Sequence, residues 1–149
     1  MPPTAANKLS TRRIMAIDVA LADELNRLFD AGTVWEHDQG TLFLGNNDNA
    51  LFVAAWEGQL VGFITAYRLQ RFDRRKAQVL LYEVGVLAEF RERGIGKALV
   101  KTVLHWAKEV GADEVWVLTN SANQAAKALY QSMGGIEDSP GTTMFVFKG

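Results

Sequence analysis

A chain of 149 residues with 48% hydrophobic residues and a formal net charge of -1 predicts one domain over residues 1–149 with a packed core, because domains usually contain roughly 100 to 200 residues. The absence of cysteine excludes disulfides, a cysteine nucleophile and a cysteine-based zinc site. No apolar run approaches the roughly 18 residues of a membrane span, and the first ten residues lack the apolar stretch of a signal peptide, so we expect a soluble cytoplasmic protein.

The first half of the chain predicts a strand, a helix and an antiparallel hairpin. Residues 1–10 are expected to be mobile, with a short strand at residues 11–16. Asp18 is the predicted N-cap of a helix that ends near Gly32, and residues 33–49 read as a loop with a short helix that can grip a substrate. Two β-rich runs, residues 50–56 and 60–69, flank a compact turn and predict a hairpin.

The second half predicts alternating strands and helices. A turn at residues 70–76 precedes a strand at residues 77–86, and a glycine-containing loop leads into an amphipathic helix over residues 94–110 that ends before Gly111. A buried strand at residues 114–119, a helix at residues 123–133 and a final strand at residues 142–147 follow. The order of elements predicts an α+β fold without internal repeats.

Arg91-Glu92-Arg93-Gly94-Ile95-Gly96-Lys97 places two glycines and several cations where a strand passes into the long helix. Glycine lets the backbone approach a ligand, and the first N–H groups of a helix point toward an anion. The spacing matches neither a Walker phosphate loop nor a dinucleotide fingerprint. About thirty residues further on, Thr119-Asn120-Ser121-Ala122-Asn123 precedes a short helix that carries Tyr130.

These two motifs resemble the GNAT superfamily of N-acetyltransferases, whose Arg/Gln-x-x-Gly-x-Gly/Ala loop matches Arg91, Gly94 and Gly96. The resemblance implies the GNAT fold: a mixed, mostly antiparallel sheet of six to seven strands with helices on both faces, splayed between the strands that end at Val86 and Thr119. It also implies that the loop amides hold the pyrophosphate of acetyl-CoA and that the pantetheine arm lies along residues 82–86 like an added strand.

The resemblance further implies that Asn123 bonds the pantetheine arm and that Tyr130 protonates the leaving thiolate; the alternatives are a helix cap and a core-edge tyrosine. The residues expected to contact acetyl-CoA are Val84, Gly85, Val86, Arg91, Arg93, Gly94, Ile95, Gly96, Lys97, Asn123 and Tyr130.

Direct acetyl transfer needs a neutral amine, and Glu83 is the candidate general base. It is the only carboxylate between Ala77 and Ala88, in an otherwise apolar strand beside Gly85, which we expect to mark a β-bulge. If buried there, Glu83 would be a stronger base than an exposed carboxylate and would take the amine proton through a water. The alternatives are that Glu83 only binds the substrate ammonium or accepts a structural hydrogen bond.

Charge is unevenly distributed along the chain. Residues 16–60 contain eight acidic side chains and one basic one, whereas residues 68–108 contain ten basic side chains and four acidic ones. Such separation suits a cationic site for a phosphorylated cofactor beside an anionic site for a cationic amine, although solvated helix faces would give the same pattern. No basic-aromatic ladder indicates nucleic acid, and no metal site is suggested.

The stretches over residues 60–72 and 81–86 resemble the aminoglycoside 3-N-acetyltransferases, within a likeness that runs from about Leu51 to Gly134. This implies acetylation of an aminoglycoside amine, antibiotic resistance and a homodimer, since similar enzymes often dimerise. The residues expected to contact the substrate are Glu36, Asp38, Tyr67, Asp73, Tyr82 and Glu83. A protein, peptide or polyamine N-acetyltransferase and a non-catalytic acyl-CoA-binding sensor remain as alternatives.

Overall fold

The computed structural model describes residues 8–138 and 141–149, which belong to two compact units, Met1–Leu118 and Thr119–Gly149. We call them the N-terminal unit and the C-terminal unit. In the N-terminal unit the strands are β1 (Leu9–Arg13), β2 (Asn49–Trp56), β3 (Gln59–Leu69), β4 (Ala77–Val86) and β5 (Ala112–Val117). Its helices are α1 (Val19–Phe29), α2 (Gln39–Leu44), α3 (Ile95–Glu109) and a 3-10 helix at Ala88–Phe90, and the C-terminal unit contains α4 (Gln124–Ser132). The prediction of one domain over residues 1–149 stays a prediction.

The strands form one sheet in the order β1-β2-β3-β4-β5. The first four strands pair antiparallel and β5 pairs parallel with β4. A parallel neighbour requires a crossover, and α3 supplies it. The predicted α+β class and the mixed, mostly antiparallel sheet are therefore confirmed, but within the described residues the sheet has five strands, fewer than the six to seven expected.

Two expectations at the chain ends are wrong. Residues 141–149 contain no strand, and Phe145 and Phe147 are 80% and 95% exposed. Alternating apolar residues give only a local preference, whereas a strand needs a hydrogen-bonded neighbour. At the other end, residues 8–10 of the expected mobile segment are described, and Leu9 and Ser10 already belong to β1; residues 1–7 lie outside the described residues.

Helices cover both faces of the sheet in the N-terminal unit, as predicted. On one face, Leu25 of α1 is buried with Leu51 and Val53 of β2, and Phe43 of α2 and Phe63 of β3 pack against this cluster. Asp18 caps α1 as predicted, because its Oδ1 accepts from the Leu21 N–H at 2.8 Å. Each large apolar side chain buried in this way contributes about 1.5 to 3 kcal/mol.

Helix α3 covers the opposite face. Its buried side chains recur at three and four residues, and a Cβ on Gly62 of β3 would lie 3.0 Å from Leu99 and 3.3 Å from Ile95. Gly62 therefore lets α3 approach the sheet closely, while Phe63, its neighbour, faces the other way. Among the described helices, none is long and apolar enough to cross a bilayer.

Strand β4 extends beyond its pairing with β5. The ladder between them runs from Ala77↔Ala112 to Leu81↔Val117 and ends there, whereas β4 continues to Val86. On its other side, β4 stays paired with β3 as far as Val86. Within the described residues, the last five residues of β4 pair with no strand on the β5 side, which leaves an open edge there. Strand β5 starts and ends two residues earlier than the predicted residues 114–119, and the expectation that it is buried is wrong, because none of its residues is fully buried and Asp113 and Glu114 are exposed.

Candidate active site

The junction between the 3-10 helix and α3 has the geometry of an anion site. Glu92 and Gly94 both have left-handed backbone conformations, with φ of +63° and +79°. The first bond of α3 runs from Ala98 N–H to Gly94 O at 3.0 Å, so the N–H groups of Ile95, Gly96 and Lys97 have no partner within the helix. The buried Ile95 side chain anchors this turn to the sheet, and Arg91 and Lys97 are exposed around it. The arrangement fits a pyrophosphate group.

Arg93 is more restrained than a free surface cation. Its guanidinium lies 5.2 Å from the ring centre of Trp56 and 4.9 Å from that of Phe90, and Nη2 is 3.4 Å from the Glu89 carbonyl. These contacts tie the loop to the β2–β3 hairpin. The sequence did not indicate Trp56 or Phe90 as supports of this loop, and direct contact between Arg93 and acetyl-CoA stays a prediction.

The open edge of β4 provides backbone groups at Val84 and Val86. Leu87 N–H donates to Val61 O of the β3 side at 2.9 Å. Because successive residues of a strand direct their N–H groups to opposite edges, those of Val84 and Val86 point to the open edge. Gly85 lies between them, and its lack of a side chain leaves room for two aromatic rings. A Cβ there would lie 2.6 Å from the Phe63 ring and 3.0 Å from the Phe29 ring.

The β-bulge of β4 lies at Tyr82, and the expectation of a bulge at Gly85 is wrong. Thr65 of β3 pairs with Glu83 and Ala66 with Leu81, which leaves Tyr82 as the extra residue. Gly85 pairs regularly with Phe63, and its lack of a side chain is explained by ring packing. The bulge brings Tyr82 and Glu83 out of the apolar ladder, and both side chains are exposed. The expected burial of Glu83 is therefore wrong as well.

An aromatic cluster surrounds this bulge. The rings of Tyr67 and Tyr82 are 5.4 Å apart and those of Tyr67 and Phe43 are 5.7 Å apart, both edge to face. Burial raises the pKa of Tyr67, and the neighbouring Tyr82 and Glu83 raise it further. Tyr67 is thus a neutral hydrogen-bonding group next to a carboxylate. The structure brings together three predicted substrate residues, Tyr67, Tyr82 and Glu83, and adds Phe43, which the sequence did not indicate.

The segment before α2 that contains Glu36 and Asp38 is held by hydrogen bonds to α1. Asn26 donates to the carbonyls of Asp30 and Thr33 at 2.8 Å each and accepts from the Trp35 N–H, while Trp35 Nε1 donates to the Asp30 carboxylate. Glu36 and Asp38 follow directly and are exposed. Within the described residues, neither carboxylate forms an ion pair. Their contact with a substrate stays a prediction.

Asp73 lies apart from the aromatic cluster at the β4 bulge, in the β3–β4 turn. About 20 Å of strand separates Ala77, which follows that turn, from Glu83, at roughly 3.3 Å per residue. The Asp73 carboxylate is 3.2 Å from nitrogens of Arg71 and of Arg74, and the Arg71 hydrogen bond lowers the pKa of Asp73. Its charge is therefore matched locally by two cations, and its role in substrate binding remains untested.

In the C-terminal unit, Asn123 is the N-cap of α4 and Tyr130 lies within the helix. The Asn123 side chain caps the helix by accepting from the Ala126 N–H at 3.0 Å. Tyr130 lies in the second half of the helix, and burial raises the pKa of its phenol. A phenol of this kind remains protonated at neutral pH and can act as an acid. Their expected roles toward acetyl-CoA remain predictions.

Thr65 of β3 is a polar residue near the bulge that the sequence did not indicate. It pairs with Glu83 across β3 and β4, and its Oγ1 is buried without a hydrogen-bond partner among the described residues. Only the strand register reveals this proximity, since Thr65 and Glu83 are distant in the chain.

This chain is similar to known proteins in its family model, in its sequence and in its fold. The family model described as "Acetyltransferase (GNAT) family" matches residues 19–135. N-acetyltransferase family 8 member 3 of Mus musculus is 37% identical over 92 residues, which are 62% of this chain and 41% of that protein. The chain thus spans about two fifths of the length of this curated relative.

Solved structures of two enzymes share the fold over nearly the whole chain. An aminoglycoside acetyltransferase from an uncultured soil metagenomic sample, in complex with trehalose, has a TM-score of 0.85 at 25% identity and covers 97% of this chain and 100% of that one. A second structure of that enzyme is in complex with sisomicin. Aminoglycoside N-acetyltransferase AAC(6')-Iy in complex with CoA has a TM-score of 0.75 at 21% identity and covers 94% of this chain and 100% of that one.

Proposed function

Because the chain belongs to the acetyltransferase (GNAT) family of acetyl-CoA-dependent acyltransferases, we propose that it transfers an acetyl group directly to an amine of an aminoglycoside. The observation that carries this proposal is that three features lie together at the bulge of β4: the open strand edge, an exposed carboxylate and aromatic rings. The edge offers backbone groups to a pantetheine arm, and the carboxylate and rings offer contacts to a cationic amine.

In this proposal, separate parts of the site hold the pyrophosphate and the pantetheine arm of acetyl-CoA. The N–H groups of Ile95, Gly96 and Lys97 bind the pyrophosphate, and the side chains of Arg91 and Lys97 add charge. Val84 and Val86 bond the pantetheine arm along the open edge, and an amide at this edge polarises the thioester carbonyl. In this proposal Asn123 also bonds the arm.

Acetyl transfer then needs one base and one acid. Glu83 takes a proton from the substrate ammonium, the neutral nitrogen attacks the thioester carbonyl, and the C–S bond breaks as Tyr130 protonates the leaving thiolate. The acylated nitrogen then loses its remaining extra proton, which returns the Tyr130 phenolate to a phenol. Because Glu83 is exposed, the proton can pass to it directly or through a water. No covalent enzyme intermediate is required.

The substrate class rests on charge and on the structural relatives. Glu36, Asp38 and Glu83 present exposed carboxylates in the N-terminal unit, and Tyr67 and Tyr82 offer ring faces to ammonium groups. A polycation with several amines uses such a surface better than a monoamine does. The aminoglycoside complex of a similar soil enzyme supports this choice, and acetylation at the 3-N position is the finer expectation.

The test is thiol release from acetyl-CoA with gentamicin, kanamycin, spermidine and a lysine peptide as separate acceptors. Release that is fastest with gentamicin, with a product acetylated at 3-N, supports the proposal. Release only with the peptide or the polyamine keeps the acetyltransferase and overturns the substrate. Acetyl-CoA binding without amine-dependent release identifies the sensor instead.

A matched pair of variants connects the assay to the site. Glu36→Gln with Asp38→Asn removes two exposed carboxylates and should raise the KM for gentamicin several-fold. Asp113→Asn removes an exposed carboxylate at the start of β5, next to Ala77 at the far end of β4, and should leave this KM unchanged.

A further inference from the structure

Helix α2 contributes Phe43 to the aromatic cluster at the β4 bulge, but little within the helix itself fixes its position. It contains six residues, none of them buried, and the side chain of its N-cap residue, Asp38, makes no capping hydrogen bond. A helix of this length is not stable by itself in water. The position of α2 therefore depends on the residues that it contacts in the sheet.

The side chain of Asn49, the first residue of β2, holds α2 at Phe43. Its Nδ2 donates to the Phe43 carbonyl at 2.9 Å in a partly buried contact. Carbonyl groups in the last turn of a helix have no partner within the helix, and this amide supplies one. The backbone N–H of Asn46 reaches the same carbonyl at 3.4 Å, so the Asn49 amide makes the shorter bond.

Asn49 also lies beside Tyr67, the central ring of the aromatic cluster. The two residues pair across β2 and β3, which places their Cβ atoms about 4.5 to 5.5 Å apart. The Phe43 ring contacts the Tyr67 ring edge to face, and Tyr67 contacts Tyr82 in the same way. Contacts thus continue from Asn49 to Tyr82, which is 56% exposed and directly precedes Glu83.

On this basis, and resting on the proposed function, we propose that Asn49 is a positioning residue for the substrate site, where it holds Phe43 against Tyr67. The two rings in turn fix the direction of the Tyr82 ring, which receives the substrate ammonium. An exposed side chain that is free to turn loses rotamer freedom when a ligand binds to it, and edge-to-face contacts that hold the ring in advance reduce this loss. Asn49 therefore acts on the affinity for the amine and not on proton transfer.

The test is a double-mutant cycle in thiol-release kinetics with Asn49→Ala, Phe43→Leu and the double variant. Asn49→Ala should raise the KM for gentamicin about two- to tenfold, the effect of one side chain that is no longer held in advance, with kcat within about twofold of wild type. The KM for acetyl-CoA should stay unchanged. Phe43→Leu should raise the KM for gentamicin at least as much, and the double variant should match Phe43→Leu, because Asn49 acts only through the ring that is already absent.

Leu28→Ala is the matched control for stability. Leu28 of α1 packs against the same apolar cluster as Phe43 without being part of the aromatic cluster. This variant should lower Tm at least as much as Phe43→Leu, because it removes more of a side chain that contacts the core. It should leave the KM for gentamicin unchanged.

The outcomes separate this role from the proposed function. An unchanged KM in Asn49→Ala, or a rise in the double variant that equals the product of the two single rises, overturns the role of Asn49 while active wild type keeps the function. An equal rise of KM in Leu28→Ala identifies a general loss of stability and also overturns the role. If wild-type protein acetylates another of the amines instead, the same cycle with that amine decides the role by the same results. Wild-type protein that is inactive with every amine overturns the function and this role together.

Discussion

Glu83 is exposed, and its position at a β-bulge decides how it acts. Because Tyr82 is the extra residue, Glu83 faces the same side as Thr65 and Tyr67. A carboxylate that only attracts the substrate would change KM, whereas a general base acts on the transition state and changes kcat. The separation of these two constants therefore distinguishes the two roles.

Replacement of Glu83 by Gln keeps the shape of the side chain and removes its basicity. We expect kcat for the amine to fall about a hundredfold or more, the usual contribution of a general base, with a smaller change in KM. Steady-state kinetics with Asp113→Asn as control measures this. An unchanged kcat with a raised KM would assign Glu83 to substrate binding only.

Burial raises the pKa of the Tyr130 phenol, as its proposed role as the acid requires. The raised pKa of its phenol means that the proton is present at every pH below its ordinary value of about 10 and is lost only above it. Tyr130→Phe should therefore lower kcat more than the affinity for acetyl-CoA. The ratio of wild-type to variant kcat should stay constant between about pH 6 and about pH 9 and fall above about pH 10. A ratio near one throughout would remove Tyr130 as the acid.

At the scale of elements, α3 begins and ends with a glycine of similar conformation. Gly94 precedes the helix with φ of +79° and Gly111 follows it with φ of +74°, and a methyl group at either position meets open space. Alanine at each should cost about 1 kcal/mol because the left-handed conformation disfavours a side chain. Only Gly94 belongs to the proposed pyrophosphate site.

Gly94→Ala and Gly111→Ala should therefore lose similar stability, but only Gly94→Ala should bind acetyl-CoA more weakly. Chemical denaturation and calorimetric titration of the two variants measure both quantities. Equal affinities for acetyl-CoA in the two variants would place the phosphate site elsewhere.

The sequence predicted the elements with strong local signals and missed what depends on pairing. The hairpin, the bounds of β4, the cap at Asp18 and the amphipathic face of α3 follow from turn residues, period and capping, and the structure confirms them. The bulge at Tyr82 follows from how β3 and β4 are aligned, which no local signal reports. For the same reason the sequence identified Glu83 but neither its exposure nor Thr65 beside it.

At the scale of the whole molecule, charge is separated along the chain. Residues 16–60 have seven more acidic than basic side chains, and residues 68–108 have six more basic than acidic ones. Exposed charges attract an oppositely charged ligand over a distance that salt shortens, to about 10 Å at 0.1 M. A substrate with several ammonium groups should feel this field more than a substrate with one.

The KM for gentamicin should therefore rise several-fold between about 0.02 M and about 0.2 M salt, whereas the KM for a monoamine should change little. In Glu36→Gln with Asp38→Asn the dependence for gentamicin should be weaker, because two of the contributing carboxylates are gone, and Asp113→Asn should keep it. Thiol-release kinetics at several salt concentrations measure these slopes. If the KM values for gentamicin and for the monoamine respond equally to salt, the carboxylates of residues 16–60 do not act on the substrate. Any preference for a polycation then comes from the aromatic cluster and Glu83 alone.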